Sequence, residues 1–151
     1  MPNAASELVD FVEEGEVLLY DGDYVGARRV FQAAIALAER RHGERAKELI
    51  VPLMGLARAS GENKASACEA MDRELEVQRR ALAIAEASLD RGDPLLAECL
   101  HAHGVCLRDA GAIEEARDVF ERFLAAHGED GGRGIRDEVR AWLAALQTCR
   151  S

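Results

Sequence analysis

Apolar residues recur three and four positions apart along most of the chain, the spacing that places side chains on one face of an α-helix. Breaks rich in Gly, Asp or Pro divide this pattern into seven segments. In the first, about Ala5 to Tyr20, Leu8, Phe11, Val12, Gly15, Leu18 and Leu19 share a face. Ser6 is its expected N-cap and Asp21-Gly22-Asp23 its stop. The second, about Tyr24 to Arg41, carries Ala27, Val30, Phe31, Ala34, Leu37 and Ala38 as its stripe and ends at His42-Gly43. The third, about Glu44 to Ser60, contains Pro52, which should kink the helix or delay its start to about Pro52. A break at Ser60-Gly61-Glu62-Asn63 precedes a long fourth segment, about Ala65 to Leu89, with Met71, Leu75, Gln78, Leu82 and Ala85 on one stripe. Asp90 to Pro94 is a turn. Helices are then expected over Leu95 to about Ala110, Ile113 to about Ala126 and, after a glycine-rich loop from Glu129 to Gly134, Ile135 to Thr148. Strand-like runs are hard to find, so the predicted fold class is all-α, with helices joined by short connections into antiparallel pairs.

The pattern repeats. Gly22-Asp23-Tyr24-Val25-Gly26-Ala27 followed by Phe31 matches Gly111-Ala112-Ile113-Glu114-Glu115-Ala116 followed by Phe120. Gly15 and Gly104 each stand twelve residues before the Ala of their unit, and the two 34-residue units, 8–41 and 97–130, align without a gap. A small residue at Gly15 or Gly104 lets paired helices approach closely, Gly22 and Gly111 accept a tight turn, and Phe31 and Phe120 fill the gap to the next repeat. These features resemble the tetratricopeptide repeat (TPR). A middle unit, about 44–90, departs from the pattern: Gly55 looks like its close-approach residue, and about seven extra residues lie around Glu62 to Cys68. Its Arg79-Arg80-Ala81-Leu82-Ala83-Ile84 and the Leu89–Ala97 connection with Asp93-Pro94 resemble kinesin light chain repeats. The resemblance implies one TPR domain over 1–151, an α-α superhelix of three units closed by a capping helix at about 133–149.

Charge narrows the partners. The net charge of −9 repels phosphate backbones, so nucleic acid is not an expected ligand; the charge reads first as a solvated helical surface, with a preference for basic partners as the alternative. No run of about 18 uncharged apolar residues is present, and Met1 to Asp10 lacks a basic start followed by an apolar stretch. A cytoplasmic protein with no membrane partner is expected. Arg supplies 17 of the 19 basic residues and Ala is abundant, which hints at a GC-rich bacterial genome.

The four cysteines, Cys68, Cys99, Cys106 and Cys149, have irregular spacing and read as free, mostly buried thiols. Cys99, His103 and Cys106 share a helix face with His101 nearby, a set that could suggest zinc or a Cys/His nucleophile. One helix does not close a tetrahedron and no orienting acid stands beside the pair, so packed core is the better reading. Gly131-Gly132-Arg133-Gly134 lacks the strand and the Lys-Ser/Thr of a phosphate loop. Glu13-Glu14 and Glu114-Glu115 read as solvated charge, and Trp142 as the anchor of the capping helix. No catalytic residue, metal site or cofactor is expected.

Function then follows from what the resemblance implies: an interaction module in which the first helices of the pairs line a groove. The family's groove positions fall on Val9, Val12, Glu16 and Leu19 in the first unit, about Leu49, Pro52 and Leu56 in the middle unit, and Glu98, His101, Val105 and Arg108 in the third. This mixture of apolar and charged side chains suits a peptide or amphipathic helix of another protein. Val12 and Glu16 occupy the first two positions of the family's carboxylate clamp, and the acid at Glu16 disfavours a C-terminal carboxylate ligand. The expected role is a protein-binding adaptor or scaffold. Alternatives are a chaperone of the type III secretion kind, holding a segment of a secreted partner, or an immunity-type protein. Homodimerisation through the groove or a terminal face is a further alternative.

Overall fold

The computed structural model describes residues 3–61, 67–126 and 133–149, and these form α-helices with one 3-10 turn and no strand among them. The helices are α1 (Ala4–Tyr20), α2 (Tyr24–His42), α3 (Ile50–Gly61), α4 (Ala67–Ser88), α5 (Pro94–Asp109), α6 (Ile113–Ala126) and α7 (Arg133–Thr148). They divide into two compact units, Met1–Ser88 and Leu89–Ser151. Most of the insertion expected around Glu62 to Cys68, residues 62–66, and most of the glycine-rich loop, with Gly131 and Gly132, lie outside the described residues.

In the first unit α1 packs on α2, α2 on α3, and α3 on α4, while α1 also meets α3. Phe31 is the centre of this packing. It is fully buried with Ala27 and Ala59, and Leu18, Leu19 and Leu56 close around them. A Cβ placed on Gly15 would lie 2.6 Å from Phe31 Cζ, and one on Gly55 would meet the same ring still more closely. One aromatic ring therefore occupies the space left by two missing side chains, on α1 and on α3.

The second unit repeats the device. The Phe120 ring, 1% exposed, would sit 2.5 Å from a Cβ on Gly104 of α5. Trp142 of α7 meets Phe120 edge-on, with ring centroids 5.3 Å apart at 71°. Val139 of α7 is also buried. This contact anchors α7 on α6.

The turns repeat as faithfully as the cores. Gly22 and Gly111 both have φ of 80°. At the first, Gly22 N–H donates to the Leu19 carbonyl and Asp23 N–H to the Leu18 carbonyl; at the second, Gly111 donates to Arg108 and Ala112 to Leu107. These paired bonds satisfy the carbonyls left open at the helix C-terminus. Asp23 then caps α2 by accepting from Gly26 N–H at 2.9 Å, and Asp93 caps α5 by accepting from Leu95 N–H at 2.8 Å.

One local expectation changes, and the choice left open at Pro52 is decided. The N-cap of α1 is Asn3, whose side chain accepts from Ala5 N–H, and Ser6 lies inside the helix. At Pro52 the chain takes the delayed start. A 3-10 turn, Lys47–Leu49, delivers the chain into α3, so that Pro52 falls in the first helical turn, where a missing N–H costs nothing.

Candidate functional site

The first helices of the pairs, α1, α3 and α5, were the expected binding surface. In α1, Val9 is 52% exposed, and Val12 and Glu16 are half-buried; Leu19 is packed into the Ala27, Phe31 and Ala59 cluster. At the end of the 3-10 turn Leu49 is buried, as is Pro52 in α3, and Leu56 of α3 lies against the same cluster as Leu19. The solvent side of α3 is formed instead by Val51, Met54 and Arg58, at i, i+3 and i+7.

An ion pair joins the two helices on this side. The Arg58 guanidinium donates to both Glu16 carboxylate oxygens, one bond being 3.1 Å between Nη1 and Oε2. Such a forked pair fixes both side chains in one plane. The surface of the first unit thus presents Val9 and Val51 as exposed apolar positions with the Glu16–Arg58 pair between α1 and α3. Helical spacing alone did not locate Val51 or Arg58, since it shows which positions share a face and not which face a neighbouring helix covers.

In the second unit, Glu98 of α5 is exposed, and Val105 and Arg108 are half-buried, Arg108 lying 3.3 Å from the Asp109 carboxylate. His101 is turned toward the aromatic core, its ring 5.9 Å from Phe123 and 6.3 Å from Phe120. Burial lowers its pKa below the usual 6.5; Glu138 of α7 opposes the shift and Arg108 adds to it. Cys99, His103 and Cys106 are buried on the inner face of α5. Burial, reinforced by Glu98 and Asp93, pushes the Cys99 thiol up to about 12, far from a reactive thiolate. Cys149 is exposed, and the Cys68 side chain lies outside the described residues. Among the described residues, no group of three or more His, Cys, Asp or Glu side chains is placed to hold a metal ion, and no helix is long and apolar enough to cross a membrane.

A depression of about 640 Å³ opens elsewhere on the first unit, lined by Glu39, Glu44, Arg45, Arg80, Ala83, Ile84 and Ala87. Its central cation is already engaged. Arg80 donates to Glu39 at 2.5 Å and to the Glu44 carbonyl at 3.2 Å, tying α2 and its following loop to α4.

No family model and no curated protein sequence matches the chain. Among solved structures, it is similar to a kinesin light chain-type protein from Podosopora anserina with nearly identical TPR-like repeats. The TM-score is 0.74 at 17% identity, over 96% of this chain and 67% of that one. A single-residue variant of the same protein gives a TM-score of 0.75 with the same identity and coverage. The chain therefore has the TPR-type all-α repeat fold that its glycine, alanine and phenylalanine spacing resembles.

Proposed function

We propose that the chain is a protein-binding repeat module that holds a peptide or helical segment of another protein on the solvent faces of its first helices. In the first unit this face is Val9 and Val12 of α1 with Val51 and Met54 of α3, bordered by the Glu16–Arg58 pair. The observation that carries the reading is the exposure of Val9 and Val51, each seven residues before its member of that forked ion pair, on the helices that share the Phe31 core. Apolar side chains supply anchoring area, and the fixed ion pair supplies polar contacts at the border. In the second unit, Glu98, Val105 and Arg108 of α5 offer the corresponding surface. The role is binding rather than catalysis: the Cys99 thiol is buried and stays protonated at neutral pH. A cytoplasmic setting in a bacterium suits the composition.

The test is capture of a partner from the native host by wild-type protein, Val9→Asp/Val51→Asp and the control Ala33→Asp on the outer side of α2. Loss of one partner with the double variant, and its retention by the control, is the expected result. Retention of every partner by the double variant would move binding off these helices.

A further inference from the structure

The outer side of α1 is a second surface that meets the α1–α3 face at Val9. Val9, Glu13, Val17 and Tyr20 stand at i, i+4, i+8 and i+11 and so lie along one face. Val9, Val17 and Tyr20 are 52%, 59% and 92% exposed, a row of large apolar side chains left in water along most of the helix. Single exposed apolar residues are ordinary; three on one face, one of them a tyrosine, mark a contact surface. The row spans about 16 Å, three turns of helix, which is the length of a docked helical segment rather than of a small ligand.

Charge specifies the occupant. α1 contains five acids, Glu7, Asp10, Glu13, Glu14 and Glu16, and no base. Glu7 is paired with Arg41 and Glu16 with Arg58. Asp10, Glu13 and Glu14 make no ion pair among the described residues, and they flank the apolar row. We propose that the outer face of α1 docks a basic amphipathic helix of a protein partner, whose apolar stripe covers Val9, Val17 and Tyr20 while its Lys or Arg side chains reach Asp10, Glu13 and Glu14. An acidic segment meets repulsion at those three carboxylates, and so does an anionic lipid surface.

The probe is a synthetic Leu/Lys peptide of about 18 residues with Leu at helical spacing, long enough to form a helix on docking. Its counterpart carries Glu in place of Lys. Binding is measured by fluorescence anisotropy on the full chain, against Val17→Ser/Tyr20→Ser, Glu13→Gln/Glu14→Gln and the control Glu114→Gln/Glu115→Gln. The first two variants alter exposed positions, and circular dichroism verifies that they fold. The Lys peptide is expected to bind wild type and the control alike, to weaken roughly tenfold in each α1 variant, and to lose affinity as salt rises; the Glu peptide is expected not to bind. Equal binding to all variants would show attraction to the acidic chain as a whole and overturn the proposal. Equal binding of the Glu peptide would overturn the basic partner. A wild-type dimer in sedimentation that Val17→Ser/Tyr20→Ser dissolves would assign the face to a second copy and overturn it as well. Because the variants leave Val9, Val12, Val51 and Arg58 untouched, a loss of binding in them reports on Glu13, Glu14, Val17 and Tyr20 and not on the α1–α3 face.

Discussion

Glycine in the middle of a helix normally costs about 1 kcal/mol relative to alanine, so Gly15, Gly55 and Gly104 need a reason to be there. Phe31 and Phe120 are the reason: their rings fill the places a Cβ would take. Gly55→Ala is therefore expected to destabilise the protein by about 1–3 kcal/mol in urea melts despite the better helix former. Gly134→Ala in α7, with nothing within 4 Å of the added Cβ, is expected to change stability by less than about 1 kcal/mol, in the stabilising direction. Gly111→Ala should cost about 1–2 kcal/mol for a different cause, since its φ of 80° is one that a side chain resists. Two titrations also belong to this scale. His101 has a lowered pKa when folded, so below about pH 6.5 the unfolded chain binds more protons and stability falls as pH falls. Urea midpoints taken from pH 7 down to 5 should show a shallower decline in His101→Gln. Cys99 has a raised pKa, so between its ordinary value of 9.0 and about 12 the folded chain holds the extra proton and stability falls as pH rises.

The helical element shows how much the sequence can carry. Most helical segments fall close to where the apolar spacing and the Gly and Asp stops predict them, because turn chemistry acts within a few residues and leaves a local trace; α7 differs in starting at Arg133, so that Gly134 belongs to the helix and not to the preceding loop. The start of α3 was legible only as a choice between a kink and a delay at Pro52; the backbone adopts the delay, with a 3-10 turn supplying the entry. The surface of α3 was less legible. Leu49 and Pro52 occupy positions that line grooves in the resemblance, yet both are buried, since the cover over a helix comes from residues distant in sequence. The same limit hid the Glu16–Arg58 pair, which joins residues 42 positions apart. Phe120 was legible, and its role belongs to this scale because it joins α5, α6 and α7. Phe120→Ala is expected to cost about 3–5 kcal/mol, measured by denaturant melts, as a large buried ring lost from a packed site. A cost near zero would contradict the packing described for the second unit.

At the scale of the whole molecule, two units carry the same plan: paired helices, a glycine turn and a phenylalanine seated in a glycine gap. Such a plan leaves the first helices with a covered side and an open side, and in the first unit the open side holds Val9, Val51 and a fixed ion pair. The most direct measurement is hydrogen–deuterium exchange of the chain with and without its captured partner. Slowed exchange is expected in residues 4–20 and 50–61, with α2 and α4 little changed. Slowing confined to α2 and α4, with α1 and α3 exchanging as in the free chain, would contradict it.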